Sequence, residues 1–167
     1  MKRLILMRHA KSDWSGAGAS DHDRTLNDRG RRDAAALGQW LRDKGLAPDT
    51  VLCSSATRTQ QTVDLLGLEG APDITLTRAL YLADAEDLHA ELCKAKGETV
   101  LLVAHNPGIG DMAEMVVDAE PNSDGLHHYP TGATLVATFE IDDWADLTWH
   151  SGHVTHITVP RDLPAPE

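Results

Sequence analysis

TVLLVAHNPG, residues 99–108, opens with the most apolar run in the chain and closes on a histidine, an asparagine, a proline and a glycine. Six residues without a polar alternation describe a strand covered on both faces, which is the pattern of a central strand in a parallel sheet. Working outward, two other stretches end in the same abrupt way. RLILMRHA (3–10) is apolar to Met7 and stops at Arg8-His9, and TVLC (50–53) runs into Ser54-Ser55, with Arg58 shortly after.

Helical patterns separate these strands. From about Asn27, Ala34, Leu37, Trp40 and Leu41 recur at helical spacing until Gly45 and Pro48 stop the segment. Ser54-Ser55 are expected to N-cap a helix through residues 56–68, and Asp84 to cap one over 84–95. A further helix is expected over 109–118, with strands at DITLT (73–77), TLVATFEI (134–141) and WHSGHVTHITV (149–159). Residues 16–30 and 119–133 carry the Gly, Ser, Asp and Pro clusters of surface loops. Strands alternating with helices predict an α/β domain with a mainly parallel sheet. Residues 1–160 are expected to form this single domain, with 161–167 as a tail.

Composition narrows the function classes. The 167 residues are 41% apolar and 25% charged, which is globular, with a formal net charge of −11. That charge argues against a nucleic-acid partner, because a phosphate backbone needs a basic face. Two cysteines without CxxC spacing suggest neither a disulfide framework nor a zinc knuckle. The apolar run after Met1-Lys2-Arg3 is too short for a secretory signal, and no run approaches the ~18 residues of a membrane span. A soluble cytoplasmic protein without a membrane partner is expected, with a monomer favoured.

In an open α/β sheet, ligands bind beyond the carboxyl ends of the strands. Arg8, His9, Arg58 and His105 would meet there. Arg58 in the first turn of a helix would lie beside exposed N–H groups that already favour anions. A phosphoryl group is the ligand expected of two planar guanidinium forks. His9 can then act as a nucleophile and His105 as a donor to phosphoryl oxygens. Lys11 and Ser12 follow His9 closely enough to reach a phosphate. Arg24 is either a further ligand or a loop charge paired with Asp21 or Asp23. The histidines at 127, 128, 150, 153 and 156 match no standard zinc spacing, and His150 and His156 would share one strand face while His153 points the other way. They are expected on the surface.

LMRHAKSDW, DHDRTLNDRGRRDAAALGQWL, CSSATRTQQT and LLVAHNPGI together resemble the histidine phosphatase superfamily, and the short length is similar to its SixA-type branch, the phosphohistidine phosphatases. The resemblance implies a phosphoglycerate mutase-like fold, an α/β three-layer sandwich with helices flanking the central sheet. It implies Arg8, Arg58 and His105 as phosphate ligands, His9 as phosphoryl acceptor, and Arg24 at the substrate entrance; Ser12 is a substrate-binding candidate by its place after His9, or else part of an exposed loop, and no cofactor or metal is expected, since no carboxylate-rich ligand set accompanies the two arginines. The substrate would be a phosphorylated protein or a small phosphorylated molecule.

Asp84, Glu86 and Asp87 are the candidates for an acid that protonates an ester leaving group, but they fit better as the first turn of a capped helix. The leaving ring of a phosphoramidate such as phosphohistidine is already protonated and needs little acid help, so the missing acid favours it. The alternatives are an ester phosphatase or mutase of the same superfamily, or a non-catalytic phosphoprotein-binding module. The last is admitted by Ala10, where the family usually has Gly.

Overall fold

The computed structural model describes residues 1–14, 20–119 and 128–166. Its strands are β1 (Lys2–Arg8), β2 (Thr50–Ser54), β3 (Asp73–Thr77), β4 (Thr99–Ala104), β5 (Thr134–Phe139) and β6 (His153–Thr158). Its helices are α1 (Asp28–Asp43), α2 (Thr57–Leu66), α3 (Ala85–Leu92) and α4 (Gly108–Met115). The strands form one sheet in the order β3-β2-β4-β1-β5-β6. The first four run parallel, β5 pairs antiparallel with β1, and β6 pairs antiparallel with β5 at the edge. β4 and β1 occupy the middle, as their unbroken apolar runs require.

Period-two alternation sorts the strand side chains into two cores. Leu4 and Leu6 of β1 and Val100 and Leu102 of β4 face Leu88, Leu92, Ile109 and Met112 of α3 and α4. Ile5, Met7, Leu101 and Val103 face the opposite way, against Leu37, Leu41, Val63 and Leu66 of α1 and α2. The result is three layers with a sheet covered on both faces. α1 and α2 approach so closely that a Cβ on Gly38 would lie 1.8 Å from the Leu66 carbonyl oxygen. Gly30 does the same for the site: a Cβ there would lie 2.0 Å from the Lys11 oxygen, so its absence lets the segment after His9 rest on the start of α1.

Local signals hold at two helix starts. Asn27 accepts from the Gly30 N–H, and Asp84 accepts from the Asp87 N–H. The cap expected of Ser54-Ser55 does not form. Ala56 is the N-cap of α2, without a side-chain bond; Ser54 Oγ accepts from the Ala56 N–H at 3.3 Å and also meets His105, and Ser55 Oγ meets His22. β6 begins only at His153, so His150 precedes it with a left-handed φ of 60° and shares no strand face with His156. His153 lies 3.9 Å from Asp118, and the His156 ring meets Trp40 edge-on. His127 lies outside the described residues. Pro160–Asp162 forms a 3-10 turn, and Leu163 packs against the α1–α2 core. No helix of the described residues is long and apolar enough to cross a membrane.

Candidate active site

β1 and β4 are adjacent and parallel, in register Arg8 to Ala104, so the residues that follow them emerge side by side. His9 and His105 sit with ring centroids 5.3 Å apart. β2 flanks β4 on its other side and delivers Ser54, then Arg58 from the first turn of α2. An open cleft of about 490 Å³ forms here, lined by Arg8, His9, Arg58 and His105 at its base and by Lys11, Ser12, Arg24 and Asn106 around it. All six expected site residues are therefore together.

The hydrogen bonds assign the ring protons. His9 Nδ1 lies 2.7 Å from the Ala10 carbonyl oxygen, which only accepts, so Nδ1 carries the hydrogen and Nε2 keeps its lone pair. His105 has the opposite tautomer. Arg58 Nη2 donates to His105 Nδ1 at 3.2 Å, and His105 Nε2–H donates to Ser54 Oγ at 2.7 Å. Both rings are held neutral, with pKa values pushed down to about 3. Burial is the leading cause for each. The Arg58 charge comes next for His105; for His9 the bond to Ala10 opposes burial, while His105, Arg8 and Arg58 add to it. The arginines thus assist burial rather than replace it.

Two buried donors lack partners among the described residues: Arg8 Nε–H and Arg58 Nε–H. An unpaired buried donor costs about 1–3 kcal/mol, and more when charged, so these groups suit an incoming oxyanion. The terminal nitrogens are engaged more fully on Arg58 than on Arg8. Arg8 Nη1 donates to the Tyr129 carbonyl, and Arg58 Nη1 and Nη2 donate to the Asp21 carbonyl (2.7 Å) and Asp21 Oδ2 (3.2 Å).

Asp21 is the residue the sequence reading did not place in the site. Its carboxylate joins Arg58, Arg24 Nε at 3.2 Å and the Tyr81 hydroxyl, binding the 3-10 turn Asp21–Asp23 to α2 and to the Arg78–Leu80 turn region. The Tyr81 bond chiefly holds its pKa down to about 2, with the two arginines adding. The pairing of Arg24 with Asp21 and its place in the cleft both hold: Nη1 also donates to Ser12 Oγ at 2.6 Å. Ser54 is the second addition, reached through its bond to His105 rather than as a cap.

The carboxyls proposed as acids lie elsewhere. Asp84, Glu86 and Asp87 do not line the cleft, and Asp84 is spent on capping α3. Asp21 is the one carboxylate among the described residues lining it, and it is ionised. Ala10 needs no glycine conformation. It lies outside the left-handed region, its N–H donates to Thr62 Oγ1 at 3.0 Å, and its methyl packs with Leu26 and Ala34. Alanine is therefore accommodated at position 10 without backbone strain.

The family model of the histidine phosphatase superfamily (branch 1) matches residues 4–87. The chain is 34% identical over 164 residues to an uncharacterised protein of Mycobacterium leprae, covering 93% of this chain and 100% of that one. A candidate phosphohistidine phosphatase SixA from Nakamurella multipartitia is similar in structure, with a TM-score of 0.83 at 33% identity over 95% of this chain and 96% of its own. Another from Agrobacterium tumefaciens has a TM-score of 0.76 at 28% identity, covering 95% and 98%.

Proposed function

Because the chain belongs to the histidine phosphatase superfamily and lies with its SixA-type members, we propose that it is a phosphohistidine phosphatase working through a phosphorylated His9. The observation that carries the substrate class is that, among the described residues lining the cleft, none is a neutral carboxylic acid, the one carboxylate being the ion-paired Asp21. An alkoxide is a poor leaving group and needs such a proton donor. A phosphohistidine does not, since its ring takes a proton from solvent and departs as neutral imidazole.

In the first step the His9 Nε2 lone pair forms a bond to phosphorus while the substrate's N–P bond breaks, its electron pair staying on the departing imidazole. Arg8 and Arg58 donate to the equatorial oxygens, most strongly as charge redistributes. Because Nδ1 keeps its hydrogen on the Ala10 carbonyl, the phosphorylated His9 ring is cationic, which makes it a good leaving group for the second step. Water then attacks phosphorus, the Nε2–P bond breaks, and neutral His9 returns with inorganic phosphate released. His105, held by Ser54, stays a phosphoryl ligand throughout. On approach of a dianion it gains a proton at Nδ1, where Arg58 donates in the empty site.

Rapid quench with labelled phosphoramidate substrate tests this. An acid-labile, base-stable phosphoenzyme is expected, mapped to a peptide containing His9, with the His105→Ala variant accumulating it more slowly. Label on another peptide, or full turnover by His9→Ala, overturns the assignment. Higher kcat/KM on phosphoserine or phosphoglycerates than on phosphohistidine would select the ester phosphatase or mutase instead.

A further inference from the structure

Two of the large apolar side chains that the fold leaves exposed line the cleft above His9. Trp14 is 79% exposed and Leu82 is 54% exposed. Leu82 also carries a φ of 53°, a left-handed conformation that is costly for a bulky side chain and concentrates at functional sites. Neither burial nor backbone preference explains why a leucine is held out there. Among the described residues, Trp14 is held from one side. The Arg24 guanidinium lies 3.5 Å over its ring, and that arginine is in turn tied to Ser12 and Asp21. With the side chain 79% exposed, the opposite indole face is uncovered among the described residues.

In-line displacement puts the leaving group opposite the nucleophile. His9 is 4% exposed at the base of the cleft, so the leaving group must point to the mouth, where Trp14 and Leu82 stand. We propose that these two side chains form a leaving-group subsite that takes a flat unsaturated ring, stacked on the free face of Trp14 and against Leu82. This deepens the reading of the site as a phosphohistidine phosphatase and rests on its phosphoryl transfer to His9. A ring fits both partners: it stacks on the indole, and it covers Leu82 without needing a hydrogen bond from it.

Two substrate pairs separate ring recognition from bond chemistry. Phosphoimidazole against phosphoramidate compares P–N bonds with and without a ring, and phenyl phosphate against ethyl phosphate does so for esters. Trp14→Ala is expected to lower kcat/KM for the ring member of each pair about tenfold more than for its ringless partner, with Trp14→Phe keeping most of the preference. Leu82→Gly is expected to lose ring preference in the same direction while its Tm does not fall, because glycine accepts the left-handed backbone. Equal losses on ring and ringless substrates, or undiminished ring preference in Trp14→Ala and Leu82→Gly, overturn the subsite. Turnover of the ester pair alone would retire the phosphohistidine reading, while the comparison of phenyl with ethyl phosphate still decides the subsite.

Discussion

Arg58 gives a test in which grip and charge come apart. Its guanidinium donates from Nη1 and Nη2 to Asp21 and from Nη2 to His105 Nδ1, and its buried Nε–H waits for a ligand. Arg58→Ala removes a preorganised donor to the transition state, for which a loss of about 10²–10³ in kcat/KM is expected. It also removes a positive charge that helps hold both His9 and His105 near a pKa of about 3. Their values should therefore rise, and the acid limb of kcat/KM should move to higher pH. Arg58→Lys keeps the charge, but one ammonium cannot reach the Asp21 carbonyl, the Asp21 carboxylate, His105 and the phosphoryl group together. Its kcat/KM should stay at least about tenfold below wild type, with the acid limb displaced less than in the alanine variant. Initial rates with a phosphoramidate and an aryl phosphate from about pH 4 to 8 read both effects. The reasoning fails if lysine restores wild-type activity. It fails equally if the alanine loss lies wholly in KM with kcat unchanged, since that would mean uniform binding rather than a transition-state contact.

Asp21→Asn leaves one carbonyl oxygen where the carboxylate accepts from Arg24, Arg58 and Tyr81. Loss of arginine positioning should lower kcat about tenfold or more, while inhibition by inorganic phosphate should not weaken, because a negative charge has left the cleft; parallel weakening of both would contradict this. For stability, His9 and His105 have folded pKa values of about 3 against an ordinary value of 6.5. Above pH 6.5 both are neutral in either state, and as pH falls from there toward 3 the unfolded chain binds protons that the folded site refuses. The urea midpoint should therefore drop from pH 7 to pH 5, more steeply in wild type than in His105→Asn; equal slopes would refute the contribution of this ring. Hydrolysis should survive chelation by EDTA, since the Nε–H groups of Arg8 and Arg58 supply the positive charge at the phosphoryl oxygens. Activity lost to EDTA and restored by one metal would show otherwise.

What the sequence determined by itself was set by local rules. Short unbroken apolar runs of strand length read as strands buried on both faces, so β1 and β4 were legible, and the polar residues that end them mark where the sheet meets solvent. Arg8, His9 and His105 followed directly, and Arg58 followed from its place at a helix start. Asp84 was legible as a cap because its partner is three residues away. The tertiary structure decided whatever depends on partners distant in sequence. Ser54 reads locally as a cap, but its hydroxyl, besides accepting from the Ala56 N–H, bonds to His105, 51 residues away. Asp21 reads as one acid in a polar loop, yet it binds Arg58, 37 residues on, and Tyr81, 60 residues on. The antiparallel pairing of β5 with β1 and of β6 with β5, and the two histidine tautomers, belong to the same class. A short polar side chain has similar local preferences wherever it occurs. Its final bond goes to whichever donor or acceptor the packed core brings within about 3 Å, and that pairing exists only once the strands have assembled.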